Sequence, residues 1–146
     1  MPLTIRPLIP DDRAQWEPLW RGYLTFYETA LSQEIYDTTF ARLTDPAHTE
    51  RGALVADLDG TLVGLVHYIF HAHNWRVEDV CYLQDLFVTE AARGTGAGRA
   101  LIEGVYRVAD DNGTPTVYWT TQTGNTTARQ LYDRIGKLTP FIKYTR

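Results

Sequence analysis

The chain has 146 residues, 44% of them hydrophobic and 12% aromatic, which is typical of one folded domain over residues 1–146 and excludes a disordered chain. The net charge is −4 and no basic run occurs, so we expect no nucleic-acid partner and a surface that tolerates a cationic substrate. The single cysteine excludes an internal disulfide. The apolar runs fall short of the roughly 20 residues of a membrane span, and the N-terminus lacks the layout of a signal peptide. These three features predict a cytoplasmic protein that does not bind membranes.

Hydrophobic periodicity and turn residues predict alternating strands and helices along the chain. The first is a strand over 3–7, followed by a helix that opens at an acidic pair. In that helix Trp16, Trp20, Tyr23 and Tyr27 follow at helical spacing, which indicates one mainly buried stripe whose last two members suit an acceptor pocket. The remaining predicted elements are a helix over 32–43, strands over 52–56 and 62–71 joined by an Asp59-Gly60 turn, a strand over 81–88, a helix over 98–110, a strand over 116–120, a helix from 125 to about 136 and a final strand over 141–144. This order is typical of one mixed α/β sheet.

A glycine-rich stretch, Arg93-Gly-Thr-Gly-Ala-Gly-Arg99, lies between a predicted strand and a predicted helix. Closely spaced glycines let backbone N–H groups approach an anion, and a helix N-terminus adds partial positive charge at the same point. The stretch lacks the Gly-Lys-Ser/Thr of a P-loop, and its glycine spacing differs from the Rossmann fingerprint. We interpret it as a pyrophosphate cradle, with a glycine turn that merely caps a helix as the alternative.

The string YLQDLFVTEAARGTGAGRALI, at 82–102, resembles motif A of the GNAT superfamily of acyl-CoA-dependent N-acetyltransferases. Its Gln/Arg-x-x-Gly-x-Gly/Ala pattern is met by Arg93, Gly96 and Gly98. A second signature of the superfamily, Asn-x-x-Ala-x-x-x-Tyr-x-x-x-Gly, is met by Asn125, Ala128, Tyr132 and Gly136. Two motifs in the right order are far more specific than either alone, and the resemblance covers nearly the whole chain.

Two branches of the superfamily are most similar to this sequence. The diamine (spermidine/spermine) and thialysine N-acetyltransferases share the Tyr27-Glu28 pair and the strand pattern at 82–85, although Gln84 stands where they carry Glu. The small histone, polyamine and D-amino-acid N-acetyltransferases resemble the chain at 117–122 and 128–133, and also in its last residues. The second branch is slightly favoured.

The resemblance implies an α/β fold with a mixed, mainly antiparallel central sheet, splayed between two parallel strands and flanked by about four helices. Acetyl-CoA would lie in the splay as a co-substrate. We expect no metal, because His71 and His73 share a strand face without an evident third ligand. The implied cofactor-binding residues are Leu86, Phe87 and Val88 of the strand, Arg93, Gly94, Thr95, Gly96, Ala97, Gly98 and Arg99 of the glycine stretch, and Asn125, Thr126, Thr127 and Ala128 of the last helix.

The reaction that the resemblance implies is direct attack on the acetyl thioester by a primary amine of a small molecule, within a ternary complex. Tyr132 matches the superfamily's general acid, and Asp85 and Glu28 are candidate carboxylates for taking the proton of the ammonium. Strict alternation along the strand places Asp85 on one face with Leu83 and Phe87, where it should be buried. The implied substrate-binding residues are Tyr23, Tyr27, Glu28, Gln84 and Trp119.

Other interpretations stay open at this point. The chain could acetylate a protein or histone lysine, or it could be a non-catalytic module that senses acyl-CoA. Each candidate also has a structural alternative: Tyr132 as a core aromatic, Asp85 as a partner of a nearby loop, and Glu28 as a solvated helix end. Cys81, inside a strand, is expected to be a small core residue and not a nucleophile. The short stretch after Gly136 and the resemblance to the second branch suggest a homodimer.

Overall fold

The computed structural model describes residues 2–146, and these form a five-stranded sheet flanked by four α-helices. The strands are β1 (Leu3–Pro7), β2 (Arg51–Leu58), β3 (Thr61–His71), β4 (Val80–Val88) and β5 (Val117–Tyr118). The helices are α1 (Arg13–Phe26), α2 (Gln33–Thr44), α3 (Ala97–Asp111) and α4 (Thr126–Ile135), with short 3-10 turns at Pro10–Asp12 and Glu90–Ala92. Across residues 2–146, no helix is long and apolar enough to cross a membrane. The mixed α/β fold expected from the sequence is confirmed.

The strands follow one another in chain order across the sheet, and only β4 and β5 run parallel. These two strands pair solely at Cys81 with Val117 and at Tyr82 with Tyr118. Beyond Tyr82 they diverge, so β5 is shorter than predicted and β4 keeps an open edge. The expected splay between two parallel strands is therefore present.

Hydrophobic cores cover both faces of the sheet. On one face α3 and α4 pack through residues such as Leu101 and Leu131. On the other face α1 and α2 pack through residues such as Trp16 and Tyr36. Because the central strands are buried from both sides, their sequences are apolar on both faces.

A β-bulge at Gln84 corrects the predicted facing of β4. Asp85 pairs with His67 and Leu83 pairs with Tyr68, so Gln84 is an extra residue without a partner on β3. Leu83 packs in the core beneath α3, whereas Phe87 packs on the α1 side and Asp85 bonds a residue of that side. Alternation thus correctly places Asp85 and Phe87 on one face of β4, but it wrongly places Leu83 on that face. The bulge turns the carboxylate towards α1.

The turn between β2 and β3 forms as the sequence predicts. Asp59 and Gly60 both have positive φ angles, 53° and 92°. Two consecutive left-handed residues are the requirement of a type I′ turn, and Asp-Gly is among the sequences that meet it. The hairpin fixes the register of β2 against β3, in which His67 pairs with Ala53.

The predicted final strand over 141–144 is wrong. Residues 141–146 form neither helix nor strand, and Phe141, Ile142 and Tyr144 are 77%, 76% and 87% exposed. An apolar segment becomes a strand only where it pairs with the edge of a sheet. Among residues 2–146 this tail pairs with no strand, so its apolar side chains stay exposed.

Candidate active site

The splay between β4 and β5 is a groove whose wall is the open edge of β4. After Tyr82 no strand of the described chain pairs with β4 on the side that faces β5. The backbone of Leu86, Phe87 and Val88 therefore has hydrogen-bonding groups that sheet pairing does not use. An extended amide-containing chain such as pantetheine is suited to such an edge, because it carries both donors and acceptors.

The glycine stretch leads directly into the N-terminus of α3. Gly94 and Gly96 have φ angles of 83° and 85°, and Gly96 is the N-terminal cap of the helix. No heavy atom lies within 4 Å of the position that a Cβ would take at either glycine, so the loop is open to a ligand. Arg93 is exposed beside it, and Arg99 forms a 3.1 Å ion pair with Glu103. First-turn N–H groups next to an arginine suit a pyrophosphate.

The third segment predicted to bind the cofactor is the start of α4, which follows β5 in the chain. Asn125 caps this helix and donates from Nδ2 to Oγ1 of Thr121 at 3.2 Å. A Cβ at Gly98 would lie 3.5 Å from Cδ2 of Leu131 and 3.8 Å from Cγ2 of Val88, which shows how closely α3, α4 and β4 approach. The elements that carry the three predicted cofactor segments thus pack against one another beside the splay.

Tyr132 is partly buried on α4, with its ring edge-on to Trp119 at 5.5 Å between centroids. Burial, and then the nearby Tyr27, raise the pKa of Tyr132 to about 12. The phenol therefore keeps its proton throughout the neutral range and can serve as a donor. Trp119 also packs against Gly136, where a Cβ would come within 2.9 Å of the indole ring. The structure thus places Trp119 as support for the end of α4.

Asp85 is the buried carboxylate of the site, with 6% exposure. Its Oδ2 lies 2.8 Å from Nδ1 of His67. On α1, burial and then the negative charge of Asp85 raise the pKa of Tyr23, whose hydroxyl donates to the carbonyl of Gln84 at 3.5 Å. The rings of Tyr23 and Tyr27 lie 5.1 Å apart. These contacts bring the carboxylate and the tyrosines of the predicted acceptor pocket together.

Two other predicted acceptor residues, Gln84 and Glu28, are exposed. Gln84 is exposed in the bulge, and Glu28 is exposed just after α1 with a φ angle of 54°. The aromatic stripe divides as expected, since Trp16 and Trp20 are 0% and 6% exposed while Tyr23 is only partly buried.

His67 was missed by the sequence analysis, although it is a polar residue within an apolar strand. This polar position could have identified His67, but its partner is set by the register of β3 and β4.

Two other singled-out residues, His71 and Cys81, have structural surroundings. Nε2 of His71 is hydrogen-bonded to the hydroxyl of Tyr118 at 2.7 Å. Cys81 is buried, which raises the pKa of its thiol to about 11. A thiol that stays protonated is a poor nucleophile, so Cys81 fits the expected role of a small core residue.

Comparison with known proteins identifies the family of the chain. A family model described as the acetyltransferase (GNAT) family matches residues 16–136. The D-amino-acid N-acetyltransferase HPA3 of Saccharomyces cerevisiae is 42% identical over 145 residues, covering 99% of this chain and 90% of the yeast protein.

Solved structures share the fold at lower identity. AAC(6')-Iy in complex with the bisubstrate analog CoA-S-monomethyl-acetylneamine is 17% identical with a TM-score of 0.87, covering 100% of this chain and 98% of that one. The ribosomal-protein-alanine N-acetyltransferase of Brucella melitensis biovar Abortus 2308 is 21% identical with a TM-score of 0.82, covering 99% of both chains. By its family model and its yeast relative, the chain belongs to the GNAT family and is an acyl-CoA-dependent N-acetyltransferase.

Proposed function

We propose that the protein transfers the acetyl group of acetyl-CoA to the primary amine of a small molecule of the amino-acid or polyamine class. The observation that carries this proposal is a buried carboxylate, Asp85, placed beside Tyr23 next to the open edge of β4. A negative charge within an aromatic pocket attracts an ammonium group. The yeast relative is named for D-amino acids, which favours an amino acid as the acceptor.

Each candidate side chain has a distinct task in this reaction. Bound acetyl-CoA supplies the acetyl thioester. At neutral pH only on the order of 0.1% of an alkyl amine is free base, so a proton must leave before nitrogen can attack. Asp85 accepts that proton directly or through water, while Tyr132 donates its own proton to the departing sulfur. The exposed Glu28 contacts the arriving amine.

An acceptor panel tests the proposed substrate class. The protein is incubated with acetyl-CoA and, separately, D-amino acids, L-amino acids, polyamines, thialysine and a histone-tail peptide, and CoA release is measured. We expect turnover with a small amine and none with the peptide. Efficient acetylation of the peptide alone would contradict the proposal and favour a protein acetyltransferase.

The cofactor assignment predicts the effect of a charge in the glycine loop. Gly96→Asp places a negative side chain at the N-terminus of α3, where the pyrophosphate would bind. Acetyl-CoA binding should weaken about 30-fold, because charge-assisted hydrogen bonds are lost there. Gly113→Asp is the matched control, because Gly113 also has a positive φ angle, 69°, with nothing within 4 Å, at the opposite end of α3. Isothermal calorimetry should show weak binding by the first variant only. Equal affinity in both folded variants would remove the loop from the cofactor site.

The apolar tail supports a homodimer. Phe141, Ile142 and Tyr144 expose large apolar side chains on a segment that pairs with no strand of residues 2–146, and the same segment of a second copy would cover them. Light scattering should give a dimer mass for the protein and a monomer mass for Phe141→Asp. Val77→Asp, at another exposed apolar position, in the β3–β4 loop, should stay dimeric. A monomeric parent protein at micromolar concentration would refute the dimer.

Two further aspects complete the proposal. The unpaired Cys81 is usual for proteins of reducing compartments, which supports a cytoplasmic location. The acidic composition, with 18 Asp and Glu against 14 Lys and Arg, supports the absence of a nucleic-acid partner.

A further inference from the structure

A chain of hydrogen bonds runs from α1 to the proposed catalytic carboxylate. Nε1 of Trp16 lies 3.1 Å from Nε2 of His67, and Nδ1 of His67 lies 2.8 Å from Oδ2 of Asp85. The three residues are 0%, 4% and 6% exposed, so no bulk water replaces these bonds. The ring of Trp20 closes the cluster edge-on to His67, with 5.6 Å between centroids.

The hydrogen bonds define the protonation of His67. An indole N–H can only donate, so Nε2 of His67 must accept from Trp16 and carries no proton. The ring proton then resides on Nδ1, which donates to Oδ2 of Asp85. An imidazolium would place two N–H groups against each other at the indole. His67 is therefore a neutral donor, and the negative charge of Asp85 is not cancelled by a cation on this side.

The same bonds fix the orientation of the carboxylate. His67 stands opposite Asp85 in the β3–β4 register, at the bulge that turns Asp85 towards α1. With Oδ2 engaged by His67, Oδ1 is the oxygen left to meet the acceptor and the tyrosines of α1. A carboxylate held by one donor from a packed ring loses the freedom to rotate away from the reacting nitrogen.

We propose that His67 is a positioning residue, whose Nδ1–H holds Oδ2 of Asp85 so that Oδ1 faces the acceptor amine, and that Trp16 enforces the required tautomer. The inference rests on the proposed role of Asp85 in the reaction. His67 itself touches neither the amine nor the cofactor. Its neutral state also preserves the net negative charge that favours a cationic acceptor.

Two substitutions at His67 separate its two hydrogen bonds. His67→Asn places an amide N–H where Nδ1 lies and so retains the donor to Asp85, while it loses the acceptor for Trp16. His67→Gln places its amide near Nε2 and so retains the acceptor for Trp16, while it loses the donor to Asp85. Both variants are neutral and polar, which makes each the control for the other. Thermal unfolding measures the stability of both.

We expect His67→Asn to keep kcat/KM for the amine within about 3-fold of the parent protein, and His67→Gln to lower it about 10-fold, because a displaced catalytic group slows the reaction. The Kd of acetyl-CoA should not change in either. Equal activity of the two variants, or higher activity of His67→Gln, would overturn the positioning role. If His67 served only for packing, the activities of the two variants would not differ according to which hydrogen bond each retains.

Nitrogen NMR of the histidine ring in the unmodified protein gives a readout that needs no variant. We expect the proton on Nδ1 and an unprotonated Nε2 at pH 8. A proton on Nε2 would overturn the proposal even if both variants failed to fold. Asp85→Asn separates this inference from the function on which it rests. If that variant is fully active, the role of Asp85 is wrong; if it is impaired while His67→Gln is not, only the role of His67 is wrong.

Discussion

Replacing Tyr132 with phenylalanine is expected to lower kcat about 100-fold, within the usual range for loss of a general acid, while the Kd of acetyl-CoA and the fold are retained. The pKa of Tyr132 is raised to about 12, against about 8.5 for a thiol, so transfer of its proton to a finished thiolate is uphill by roughly 5 kcal/mol. The donor therefore acts while the carbon–sulfur bond breaks, when sulfur is more basic. Steady-state kinetics with saturating substrates measure the effect.

Tyr106→Phe is the matched control for loss of a tyrosine hydroxyl near α4. The hydroxyl of Tyr106 donates to the carbonyl of Ile135 at 2.8 Å, so its removal should lower stability and leave kcat nearly unchanged. Because Tyr132 keeps its proton below about pH 12, kcat should show no alkaline decline between pH 8 and pH 10 that depends on Tyr132. Tyr132→Phe with the parent kcat, when chemistry is rate-limiting, would show that another group supplies the proton.

Asp85→Asn should lower kcat/KM for the amine about 100-fold at pH 7, since a carboxamide cannot accept the proton of the ammonium. The carboxamide oxygen can still accept from Nδ1 of His67, so the packing of the pair is preserved. The loss should shrink as the pH approaches about 10, because an alkyl amine then loses its proton without help. A pH profile of kcat/KM for both proteins measures this difference.

Glu28→Gln is the control for Asp85→Asn, because it removes an exposed carboxylate of the proposed acceptor site. We expect it to raise KM for the amine a few-fold with little change in kcat. A loss in Asp85→Asn that stayed constant up to pH 10 would point to a structural role. A larger loss in Glu28→Gln than in Asp85→Asn would move the base to Glu28.

Local features of the fold were predictable because local chemistry determines them. The Asp59-Gly60 turn adopts the two positive φ angles that its residues favour, and the apolar periodicity of α3 gives its buried face. The glycine stretch leads into α3 and Asn125 caps α4, as their positions in the two motifs predict.

The features that sequence analysis missed depend on contacts between distant residues. The bulge at Gln84 arises only when β4 is paired with β3, so alternation along β4 alone gave the wrong face for Leu83. The bond between His67 and Asp85 depends on the same register. The prediction of a final strand over 141–144 is wrong for the same reason, because a strand needs a partner that the sequence of 141–144 does not specify.

Single-turnover transfer of a labelled acetyl group most directly tests the claim that this protein acetylates a small amine without a covalent enzyme intermediate. The protein is mixed with stoichiometric labelled acetyl-CoA, with and without the amine that the acceptor panel identifies, and the label is followed by mass spectrometry on protein and small molecules. The site geometry predicts label on the amine, CoA release only when the amine is present, and an unlabelled protein throughout. Label on Cys81 that moves to the amine on a catalytic time scale, or no transfer to any small amine, would contradict it.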